Sequence, residues 1–182
     1  MIRVAIVVVA LAFAQAQSAP VFKPSPNPVS DAIRQQLARG AKNLVASAEL
    51  MPADKYAFHP TPAQMTFGQL IVHIVQTNVA LCSAVGGGPA DPAVFKLADT
   101  EPKDKLVGEI TRSFEYCSQA FATLTDGQLG EEVSMFGKPT GQSRAGAMVT
   151  IAVDWADHYS TAATYLRLNG ILPPTAQPQK QP

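Results

Sequence analysis

Only 15% of the 182 residues are charged, and 14 Lys and Arg stand against 14 Asp and Glu. No basic cluster stands out. The cationic footprint that phosphate neutralisation requires is therefore missing, and nucleic acid is excluded as a partner. Aromatics are scarce at 7% while alanine is abundant, which disfavours a β-sandwich and suits closely packed helices. The chain has two cysteines and three histidines, and neither a CxxC nor an HExxH pattern occurs. Gly141 to Gly146 is no nucleophile elbow, because Ala145 stands where Gly-x-Ser-x-Gly needs its second glycine. Gly86 to Gly88 follows a helical pattern and lacks a following Lys-Ser/Thr, which excludes a phosphate loop. What remains is a 47% hydrophobic chain of one-domain length, apolar enough to bury a core.

The N-terminus carries an export pattern. Arg3 precedes the uncharged apolar run Val4 to Ala14, and Ala14-Gln15-Ala16 has the small-x-small form of a signal-peptidase site. Eleven helical residues span about 16 Å, too short for a ~30 Å hydrocarbon core. Residues 1–16 therefore read as a signal peptide rather than a buried N-terminal helix, with Gln17 the expected mature start. No cysteine follows the site, so neither a lipid anchor nor any other stable membrane attachment is expected after cleavage. The expected location is periplasmic or secreted. Residues 17–28, with prolines at 20, 24, 26 and 28, read as an extended leader.

Four helices follow. Ser30 is the expected cap of the first, which runs to about Met51 with Ile33, Leu37, Leu44 and Ala48 on one stripe and Pro52 as its stop. Thr66 and Gln69 make a capping-box pattern for the second, which reaches about Val85 before the triple glycine. Pro102 suits the first turn of the third, whose stripe is Leu106, Ile110, Phe114, Cys117, Phe121 and Leu124. Residues 125–142 read as irregular. Ser143 is the expected cap of the fourth helix, and Asn169-Gly170 its left-handed stop, reinforced by Pro173-Pro174. Residues 176–182, Gln- and Pro-rich, read as a disordered tail. The default architecture is all-α, a four-helix bundle.

Few residues carry chemistry. In an exported chain the even cysteine count argues for a Cys82–Cys117 disulfide. Both lie about sixteen residues from their helix starts, so they share a level only if helices two and three run parallel. The alternative is two buried small hydrophobes. His59, between Phe58 and Pro60, reads as a surface or packing residue. On helix four, Asp154 and His158 fall on the apolar arc of Ala147, Ile151, Trp155, Ala162 and Tyr165, one turn apart, while Asp157 points to solvent. A carboxylate aimed at a core needs a partner or a cation. A self-satisfying Asp154–His158 pair and a metal site are both open at this point. His73 sits at the rim of the helix-two stripe, which suits a ligand or a half-exposed histidine.

The segments MTFGQLIVHIVQTNVAL (65–81) and DWADHYSTAATYLRLNGILPP (154–174) resemble the second helix and the last helix with its Gly-x-x-Pro-Pro exit in the DinB-like superfamily. The similarity covers residues 29–175. It implies an up-down-down-up four-helix bundle, with helices two and three parallel as the cysteine levels require. Members of that superfamily are described as metal-dependent enzymes, binding a divalent cation through one helix-two histidine and an H-x-x-x-H pair on helix four. His73 matches the first ligand and His158 the last, while Asp154 stands at the middle position. Two histidines and one carboxylate suit Zn²⁺, Ni²⁺, Mn²⁺ or Fe²⁺. Related proteins include thiol S-transferases and a thiol-dependent isomerase; an exported protein does not meet cytosolic thiols, so hydrolysis of a small molecule fits better. A homodimer is compatible with this reading, and so is a non-catalytic bundle that binds a metal or small ligand weakly.

Overall fold

The computed structural model describes residues 23–178. The expected signal peptide, the first half of the expected leader (17–22) and the last four residues lie outside that range. Four long helices dominate: α1 (Pro28–Leu50), α2 (Phe67–Gly86), α3 (Lys103–Phe121) and α4 (Arg144–Leu168). They form one all-α bundle in the expected up-down-down-up order, α1 packing on α3 and α4, and α2 on α3 and α4. Leu44, Ile71, Ile74, Leu106, Ile110, Ile151 and Leu166 are fully enclosed at its centre.

The start of α1 departs from the local expectation. Ser30 is not its cap but lies inside the helix, fully buried, with its hydroxyl donating to Asp126 at 2.7 Å. The same carboxylate accepts the backbone N–H groups of Val29 and Ser30 at 3.0 and 2.8 Å. A distant acid thus does what a neighbouring side chain does in a local cap, satisfying first-turn donors and facing the positive helix end. Pro28 supplies the preset φ and has no N–H to satisfy.

α2 begins as its sequence dictates. Thr66 accepts from the Gln69 backbone at 3.1 Å and Gln69 returns the bond at 2.9 Å. It ends at Gly87, whose φ of +75° is left-handed. Gly86, the last helical residue, is required by close packing. A Cβ there would stand 2.6 Å from that of Ala120 on α3. Pro102 caps α3 from just outside the helix, and the helix stops at Phe121, so Leu124 packs in the core from beyond its end.

Residues 125–142 are not irregular throughout. Glu132–Met135 (β1) and Lys138–Ser143 (β2) form an antiparallel hairpin, with Met135 opposite Lys138. Phe136 and Gly137 make its two-residue turn, both left-handed at φ 51° and 76°. The segment hid its strands because β1 is only four residues long, β2 is exposed throughout, and Phe-Gly replaces the usual Asn-Gly signal. Ser143 caps α4 through the Gly146 N–H at 3.2 Å, and Gly170 turns left-handed after it. Pro174–Ala176 then forms a 3-10 turn held by Tyr159 on Thr175.

Candidate metal centre

Three ligand-bearing side chains converge where α2 meets α4. His73 comes from α2, and Asp154 and His158 from successive turns of α4. One donor atom from each lies within 4.8 Å of the others. The His73 and His158 rings meet edge to face, centroids 4.9 Å apart. His158 is buried, and the other two are half-buried.

The Asp154–His158 pair does not satisfy itself. His158 Nε2 lies 3.2 Å from Asp154 Oδ1. Yet Nε2 makes no hydrogen bond, and Asp154 Oδ2 is also buried without a partner. The 3.2 Å approach is proximity without hydrogen-bond alignment. Two orphaned polar atoms beside a third donor are what burial penalises unless something compensates them. Burial, assisted by the neighbouring His158, holds the His73 pKa below the ordinary imidazole value, against a smaller opposing pull from Asp154. His73 is therefore neutral at physiological pH, with a ring nitrogen lone pair available to a cation. Donors of this type, two imidazoles and one carboxylate, fit a divalent transition metal.

The remaining expected residues sort simply. His59 is exposed, its Nδ1 2.8 Å from the Thr61 carbonyl, and takes no part. Asp157 is exposed, as the helical wheel requires. Cys82 and Cys117 stand at bonding distance, their Cα atoms 5.1 Å apart, in the fully enclosed seam of α2 and α3.

The sequence reading passed over a buried bridge beside the site. Asn78 on α2 donates to Ser113 on α3 at 2.9 Å and accepts the Trp155 indole N–H of α4 at 2.7 Å. Its signal was a lone amide on the apolar face of α2, among Ile71, Ile74, Val75 and Cys82.

A sequence profile described as the DinB superfamily matches residues 36–162. Among curated proteins none matches. Solved structures do. A DinB-like protein from Bacillus subtilis shares 19% identity at a TM-score of 0.63, over 81% of this chain and 99% of that one. A DinB-like protein from Bacillus cereus gives 15% and 0.62, over 79% and 95%. A proposed DinB family member from Exiguobacterium sibiricum gives 18% and 0.62, over 80% and 95%. At these identities the structural likeness carries the fold alone.

Proposed function

This chain belongs to the DinB superfamily, and on that premise we propose that it is an exported metal-dependent hydrolase whose cation is held by His73, Asp154 and His158. One observation carries the metal reading: Asp154 Oδ2 and His158 Nε2 are buried and unpartnered within reach of His73. A bound divalent cation supplies Lewis acidity toward a substrate oxygen or water. The residues themselves provide the rest. His73 and His158 offer imidazole nitrogen donors, Asp154 offers carboxylate oxygen, and three protein ligands leave coordination positions open. Export is supported by Arg3, the apolar run and Ala14-Gln15-Ala16, and by a cysteine pair suited to an oxidising compartment. A non-catalytic metal binder is the second reading. It draws support from the cluster itself, in which no fourth histidine, cysteine or carboxylate stands ready as a separate base among the described residues.

Zn²⁺, Ni²⁺, Mn²⁺ and Fe²⁺ should be compared by thermal unfolding, alongside elemental analysis of the purified protein. Preferential binding to the folded state adds about 2.7 kcal/mol at a hundredfold excess over Kd. The gain should vanish in His73→Ala and His158→Ala. A protein that carries no metal and whose midpoint none of the four ions shifts has no such site. Metal binding without metal-dependent cleavage of any ester, amide or phosphoester tested would favour the non-catalytic reading. For export, the intact mass of protein recovered outside the cytosol should correspond to a start at or within a few residues of Gln17, and a full-length cytosolic chain would refute it.

A further inference from the structure

α1 and α3 meet under a mostly apolar groove of about 490 Å³. The buried side chains of Leu37 and Phe114 form its floor, Ala41 and Val45 line its α1 wall, and only Arg34 and Glu115 bring charge to it. Ala38 and Ala122 stand exposed along it. A contiguous apolar surface of this kind marks a place where something docks.

The leader enters at the head of this groove. Asp31, Ala38 and Val45 recur every seven residues, which places them on one face of α1. Ser25 donates its hydroxyl to Asp31, and the Asn27 side chain accepts the Asp126 N–H at 2.9 Å. Helix α1 starts only at Pro28. Going back from Pro28 to Ser25, the chain has therefore turned and advanced along α1 to the level of Asp31. Arg34, one turn further on, pairs with Asp31 at 2.7 Å and donates to the Phe121 and Leu124 carbonyls at the end of α3, at 2.9 and 3.1 Å. The leader is thus anchored beside the open end of the groove and headed along it.

From this arrangement we infer that residues 17–22 of the same chain (QSAPVF), which precede the described range, fill the α1–α3 groove with the Phe22 ring seated beside Ala38. The length fits. From Ser25 back to Gln17 an extended chain with prolines at 20 and 24 spans ~25 Å at ~3.1 Å per residue. The groove face from Asp31 to Val45 spans ~21 Å at ~1.5 Å per residue. The register fits as well, since Phe22 lies ~9 Å beyond Ser25 and Ala38 lies ~10 Å beyond Asp31. Residues 17–22 carry no charge, and Val21 and Phe22 are their large apolar side chains, which suits the Leu37–Phe114 floor. A second copy of the chain would have to displace the anchored leader from the groove's head. The assignment needs neither a bound metal nor cleavage after Ala16, only that Phe22 is present.

Two forms of the protein are compared, one starting at Gln17 and one at Lys23, both retaining all four helices and the Ser25 and Asn27 anchors. Each carries Ala38→Cys, a small change at an exposed groove position, and the rate of its modification by a maleimide is measured. Cys82 and Cys117 are enclosed and paired, so they do not compete. Arg39→Cys, exposed on another face of α1, is the control. Cover by an aromatic ring should slow labelling of Ala38→Cys on the order of tenfold in the Gln17 form relative to the Lys23 form, with the control unchanged. Phe22→Ser in the Gln17 form should raise the rate to that of the Lys23 form. Equal rates in the two forms, or a difference that survives Phe22→Ser, would overturn the assignment. So would protection in both forms that rises with protein concentration, which would give the groove to a second copy.

Discussion

Replacing Cys82 and Cys117 together by alanine should lower stability by ~4 kcal/mol, the loop-entropy value for a crosslink between residues 35 apart. For a chain of this size that corresponds to a fall in midpoint of roughly 8–16 °C. Alanine is the right replacement because both positions are fully enclosed among apolar neighbours, where a serine hydroxyl would add its own desolvation cost. The crosslink ties α2 to α3 on the side of α2 away from the metal residues. Metal affinity of the double variant below its midpoint should therefore be preserved. The same burial denies access to external thiols, so a reductant should leave the native protein's midpoint unchanged over times short of unfolding. Chemical denaturation of the oxidised wild type and the double variant checks the size of the effect. A loss below ~1 kcal/mol would show that the pair is not crosslinked, or that strain cancels the entropy gain.

Much of this molecule is legible because its helices are locally determined. The Thr66–Gln69 box, the Ser143 cap, the Pro52 stop and the Gly170 exit each act within a few residues, and each is found where the sequence places it. The α3 stripe from Leu106 to Phe121 is buried for the same reason, since its period is that of a helix. What escaped depends on distant partners. Asp126 caps α1 across nearly a hundred residues, and no local pattern announces that. In the hairpin, alternation runs over only the four residues of β1, and β2 is exposed along its whole length, so the short-range sign of a strand is too brief to read. The metal residues lie between these cases. Spacing alone put Asp154 and His158 on one face, whereas bringing His73 to them needed the topology, and that came from the family resemblance. Whether the pair satisfied itself was not readable at all, because it turns on the alignment of His158 Nε2 and Asp154 Oδ1.

Asn78→Leu should cost about 2–4 kcal/mol, because it strands the buried Trp155 N–H and removes a donor from the Ser113 hydroxyl while keeping the volume nearly constant. Asn78→Asp separates the two halves of that bridge. A carboxyl at a position with no solvent exposure has its folded pKa raised by burial. In its protonated form it can accept from the indole and donate to Ser113, as the amide does. The unfolded chain releases that proton near the ordinary aspartate value of about 3.9. The folded state then holds the extra proton, and unfolding free energy falls with pH by about 1.4 kcal/mol per unit until the folded pKa is passed. The deficit of Asn78→Asp relative to wild type should thus be smallest in acid and widen steadily from pH 5 to pH 7, whereas that of Asn78→Leu should stay flat. Urea unfolding of the three proteins at several pH values distinguishes the two. A flat gap for Asn78→Asp would mean that water reaches the position. The bridge also bears on the proposed metal centre, since Asn78 shares α2 with His73 and Trp155 follows Asp154 on α4. Its rupture frees the two helices to slide, so Asn78→Leu should weaken metal affinity even in conditions where the protein remains fully folded. Unchanged affinity would show that the helix spacing at the site is held by the apolar packing alone.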